Sequence, residues 1–130
     1  MDPQNVVLLV EDDQIVLDAA AETLAEGGCS VRSATTYSEA LGALEQSPEI
    51  NVLVTDIVLE GARSGLDLAE EVHSRRPDVA IIILSGEVRP DTDKLPRNAL
   101  FCTKPCAPGA LLELVNKCRE WSVLDDAISN

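Results

Sequence analysis

Positive charge is scarce: 10 Lys and Arg residues face 23 Asp and Glu, a net charge of −13 over 130 residues. Phosphate binding needs a basic footprint, so this balance argues against a nucleic-acid surface and favours cations or basic partners. Long apolar runs are missing too. The longest reach five or six residues, far short of the ~20 that span a bilayer, and the N-terminal MDPQN lacks the basic and apolar regions of a signal peptide. The expectation is a cytosolic protein with no membrane partner. No Cys-x-x-Cys pair occurs among Cys29, Cys102, Cys106 and Cys118, so zinc and disulfide frameworks give way to buried, reduced thiols.

What is present is a single domain's worth of chain, 45% hydrophobic, enough for one ordinary core. Five short apolar or β-branched runs read as strands: Val6–Val10, Cys29–Ser33, Val52–Thr55, Val79–Leu84 and Ala99–Cys102. Helix-like segments separate them. The first covers about Gln14 to Glu26, with Val16, Ala19, Ala20, Thr23 and Leu24 on one face and Gly27-Gly28 as its stop. The second and third open on capping boxes, Thr36-x-x-Glu39 and Ser64-x-x-Asp67, and the last starts at Pro108 with Leu111, Leu112, Val115 and Cys118 on one side. His73, on the third helix, reads as a surface residue. Pro90 and Pro96 interrupt Gly86–Asn98, where a fourth helix is expected to be short or missing. Alternating strands and helices predict a doubly wound α/β fold, a five-stranded parallel sheet with helices on both faces.

Such a sheet binds ligands beyond the carboxyl ends of its strands. Asp12 and Asp13 follow the first run, Asp56 ends the third, Ser85 follows the fourth, and Thr103, Lys104 and Pro105 follow the fifth. Three converging carboxylates suit Mg²⁺ or Mn²⁺ in an oxygen shell, and the cation would explain why adjacent acids are tolerated at the rim of a core. A lysine and a hydroxyl beside them are what a phosphoryl group needs, and a carboxylate can itself be the nucleophile that forms an aspartyl-phosphate.

At these residues the chain resembles the receiver domain of bacterial two-component response regulators over nearly its whole length. The resemblance implies a flavodoxin-like sheet of order 2-1-3-4-5 and a receiver over residues 4–121, followed by a short polar, acidic tail, 122–130. It implies Asp12 and Asp13 as the acidic pair for Mg²⁺, and Asp56 as phosphoacceptor and third metal ligand. The backbone carbonyl of Val58 joins the metal shell, Ser85 is the switch hydroxyl, Lys104 binds the phosphate and Phe101 occupies the aromatic switch position. Glu60 stands where receivers often carry a proline. The implied partners are a histidine kinase or histidine phosphotransferase and a downstream protein target; the oligomeric state is left open. A haloacid-dehalogenase-like phosphatase would want an acid at Val58, and flavin binding would want glycines where the first turn is acidic. A module that keeps the fold without phosphorylation is the remaining rival, and the full acid, hydroxyl and lysine set argues against it.

Overall fold

The structure, a computed structural model, describes residues 5–59, 63–85, 99–103, 107 and 109–118. Five strands, β1 (Val6–Val10), β2 (Ser30–Ala34), β3 (Val52–Asp56), β4 (Ala80–Ser85) and β5 (Ala99–Thr103), form one parallel sheet of order β2-β1-β3-β4-β5. Helices α1 (Gln14–Glu26), α2 (Tyr37–Gln46) and α3 (Gly65–Arg75) connect them, and a C-terminal helix covers residues 109–118. This is the doubly wound architecture expected from the alternation of elements. The Gly86–Asn98 segment, the Lys104-Pro105 dipeptide, Glu60 and the tail lie outside the described residues.

Strand alternation divides the core into two layers. Leu8, Val10, Leu53, Ile81 and Ile83 pack with Ala40 and Leu44 of α2 and Leu68, Ala69 and Val72 of α3. Val7, Leu9, Val52, Val54, Ile82 and Leu84 pack with Leu17 and Leu24 of α1 and with Leu111, Val115 and Cys118 of the C-terminal helix. Each fully buried Leu, Ile or Val contributes about 1.5–3 kcal/mol, so the apolar runs of β1, β3 and β4 hold both faces at once. That double burial is why these strands are continuous apolar stretches and not alternating ones.

Two expectations need correction. The inward face of α1 is Leu17, Ala20, Ala21 and Leu24, whereas Val16 is 45% exposed. The helix is phased from its N-cap at Asp13, and the Leu17–Leu24 row, seven residues apart, takes the sheet. His73 is half-buried, with Nδ1 enclosed and without a hydrogen-bond partner among the described residues.

The capping devices form with one variation. At α3, Ser64 Oγ accepts from Asp67 N at 3.2 Å while Ser64 N donates to Asp67 Oδ2 at 2.8 Å, the full reciprocal box. At α2, Thr36 Oγ1 accepts from Glu39 N, but the Glu39 carboxylate reaches one residue further back and accepts from Thr35 N and Oγ1. The Thr35 amide thereby holds the Glu39 carboxyl below its ordinary value. Cys29, Cys102 and Cys118 are free thiols, and Cys29 and Cys118 are buried in the α1-side layer.

Candidate metal and phosphoacceptor site

The strand order reverses between β1 and β3, since α1 carries the chain from β1 outward to β2 and α2 brings it back to β3. An open parallel sheet offers its ligand crevice there. Val10 pairs with Thr55, so the first residue after β1 and the last residue of β3 emerge side by side. These are Glu11 and Asp56, both buried, at 4% and 8% exposure. Next along the edge, Asp56 is in register with Leu84, and Ser85 at the end of β4 with Thr103 at the end of β5.

Carboxylate oxygens of Glu11, Asp12 and Asp56 lie within 4.8 Å of one another, Asp12 being the exposed member. At such separations three negative charges repel by several kcal/mol in a poorly screened setting, a cost that a divalent cation reverses into attraction. The donor set is all oxygen, and the exposed Asp12 leaves a side from which waters would complete a shell. It fits Mg²⁺ or Mn²⁺ and not a soft metal.

Asp13, expected in this set, is engaged elsewhere. Its Oδ1 accepts from Ile15 N at 3.0 Å and Val16 N at 3.4 Å, which makes it the N-cap of α1. The place expected for it in the cluster is taken by Glu11, whose Oε1 also accepts from Asp13 N at 3.2 Å. The acidic pair is thus displaced by one residue. The signal was present in the sequence: a helix starting at Gln14 needs a cap at position 13, and Asp serves that role well.

The other expected residues divide into those the structure positions and those it leaves undescribed. Val58 is 71% exposed and its N–H donates to Asp56 Oδ1 at 3.3 Å. Ser85 ends β4 at the same sheet edge. Phe101 pairs with Ile83 and is half-buried against the layer formed with α2 and α3. Lys104 falls outside the described residues, directly after β5.

Unforeseen in the sequence is how tightly the Asp56 backbone is held. Thr55, fully buried, donates its hydroxyl to the Asp56 carbonyl at 3.0 Å. Ile57 N donates to Leu84 O at 3.2 Å, and Ile57 O accepts from Gly65 N at 2.7 Å. A Cβ on Gly65 would overlap the Asp56 carbonyl oxygen, so glycine is required there.

Residues 7–116 match the family model of the response regulator receiver domain. The chain belongs to that family. It is 32% identical over 112 residues to the phosphoglycerate transport system transcriptional regulatory protein PgtA of Salmonella typhimurium, covering 84% of this chain and 26% of that protein. It is 32% identical over 80 residues to the photosynthetic apparatus regulatory protein RegA of Cereibacter sphaeroides, 62% of this chain and 42% of that one. The chain therefore spans less than half the length of these relatives. Among solved structures, a CheY-like receiver domain protein from Methanospirillum hungatei superposes with a TM-score of 0.83 at 26% identity, over 95% of this chain and 99% of that one. NtrX from Brucella abortus superposes with a TM-score of 0.85 at 27% identity, over 98% of this chain and 30% of that one. The receiver is thus of the kind used in two-component systems. Among the described residues, no helix is long and apolar enough to cross a membrane.

Proposed function

We propose that this receiver takes a phosphoryl group onto Asp56, with Mg²⁺ held by Glu11, Asp12 and Asp56. The observation that carries the reading is the convergence of these three carboxylates at the strand-order reversal, with Asp56 the member on the central strand. When bound, the cation supplies charge neutralisation for the incoming phosphoryl oxygens. An Asp56 carboxylate oxygen forms the new bond to phosphorus as the donor's P–N or P–O bond breaks, and the donor leaves with that electron pair. The Val58 carbonyl would join the metal shell. Ser85 donates a hydrogen bond to a phosphoryl oxygen, and Lys104 supplies the fixed counter-charge.

The donor in this reading is the phosphohistidine of a kinase or phosphotransferase. Ile15, Val16 and Val58, the exposed large apolar residues among those described, adjoin the acids in sequence and give such a partner an apolar surface to rest on. The added charge draws in Ser85 and shifts Phe101 between two pre-existing states, which a downstream protein reads.

Incubation with acetyl phosphate and Mg²⁺, followed by intact mass, tests the proposal. Wild type gains one phosphate and Asp56→Asn gains none. Uptake that persists in Asp56→Asn overturns the assignment.

A further inference from the structure

We propose that Thr55 is a positioning residue for the phosphoacceptor, its buried hydroxyl fixing the Asp56 peptide group and through it the aim of the Asp56 carboxylate. The inference rests on the reading of Asp56 given above.

Thr55 is out of character for its strand. Val52, Leu53 and Val54 precede it, all are buried, and a valine in place of Thr55 would fill the same shape with no hydroxyl to satisfy. The hydroxyl is satisfied by the Asp56 carbonyl at 3.0 Å. Alternation places the Thr55 side chain on the Leu53 side of the sheet and the Asp56 side chain on the Val54 side, so Thr55 acts through the backbone and not on the reacting atoms.

The peptide it grips is the one that matters. The Asp56–Ile57 unit is tied at its N–H by Leu84 O and at its C=O by the Thr55 hydroxyl. Gly65 closes on the same carbonyl, and its own N–H binds the next one. The carboxylate also accepts from Val58 N at 3.3 Å, and where the backbone puts Cα fixes the point from which it reaches the site. Releasing the carbonyl lets that peptide tilt, and small misplacements of a nucleophile cost rate steeply.

The test compares Thr55→Val, Thr55→Ala and Thr55→Ser with wild type at a temperature where circular dichroism shows all four folded. Two quantities are read: the rate of phosphorylation by acetyl phosphate and Mg²⁺, and Mn²⁺ affinity measured with no phosphodonor. Losing one net hydrogen bond should slow phosphorylation about tenfold in Thr55→Val and Thr55→Ala. Mn²⁺ binding should weaken about threefold in both, and Thr55→Ser should restore both quantities to within about twofold, since it keeps the donor. A purely structural role would shift the melting temperature and leave the rate per folded molecule unchanged. Wild-type rate in the two hydroxyl-free variants overturns the inference, as does a Thr55→Ser rate as slow as theirs. A wild type that binds Mn²⁺ but takes no phosphate refutes the phosphoacceptor reading instead, and the Mn²⁺ affinities then decide on Thr55. A wild type that does neither overturns both.

Discussion

Gly65, the first residue of α3, lies against the backbone carbonyl of Asp56 with no room for a Cβ between them. The contact locks the start of a helix to the end of the central strand, reinforced by the 2.7 Å bond from Gly65 N to Ile57 O. Two effects oppose each other in Gly65→Ala. Alanine's better helix propensity favours it by at most about 1 kcal/mol, while the overlap is with backbone that cannot rotate away, at a cost of about 1–3 kcal/mol or more. The clash wins. Urea unfolding should show a net loss of stability, and phosphorylation of the folded variant should slow because relief of the clash moves the Asp56 peptide. An unchanged midpoint would mean that α3 shifts freely and that the contact positions nothing.

The division of labour between Glu11 and Asp13 separates metal affinity from stability. Glu11→Gln removes one of three converging charges and should weaken Mg²⁺ binding at least about tenfold. With less repulsion in the metal-free state, it should leave the fold as stable as wild type or more so. Asp13→Ala removes a helix cap and should cost about 1 kcal/mol of stability, with Mg²⁺ affinity within about twofold of wild type. Calorimetric Mg²⁺ titration and urea unfolding of each variant check both halves. The reverse pattern would return Asp13 to the metal site.

Burial pushes the Cys118 thiol up from 9.0 to about 11, and the Cys29 thiol is raised by the same cause. A folded-state value above the unfolded one means that the native protein holds its proton longer. The Cys118 contribution is therefore complete below about pH 9 and is lost as pH rises from there to about 11. Unfolding free energies measured from pH 8 to 11 should fall over that window, and Cys118→Ala should flatten the fall. An equally steep loss in Cys118→Ala would place the alkaline sensitivity elsewhere.

The sheet was legible because its central strands are buried on both faces, which writes them as unbroken apolar runs bounded by polar residues. Strand ends were read one residue short at Asp56, Ser85 and Thr103, since each of these polar residues still pairs in the ladder. An acid at the end of a strand looks the same in sequence whether it binds a metal or caps a helix. The cap role of Asp13 follows from a helix that begins at Gln14, but three adjacent acids offer more than one pair for a metal, and only the placement of their carboxylates separates Glu11 and Asp12 from Asp13. The grip on Asp56 left no local trace, because it depends on Gly65 arriving from nine positions away and on a hydroxyl whose partner is a backbone atom.

Val58 bears on how long the phosphoryl group lasts. Its N–H bonds to Asp56 Oδ1 and the residue is 71% exposed, so position 58 adjoins the acceptor and is open to solvent. Valine has no group to hydrogen-bond a water, and orienting the attacking water is a recognised source of rate in phosphoryl transfer. An amide at this position can supply that orientation, and at so exposed a residue the change should leave stability within about 0.5 kcal/mol. Val58→Asn is therefore expected to speed loss of phosphate from Asp56 about tenfold, or ~1.4 kcal/mol of barrier. The measurement is decay of the phosphorylated mass after donor removal, with Mg²⁺ present and wild type run alongside. Equal or slower decay in the variant would show that water placement by residue 58 does not limit hydrolysis.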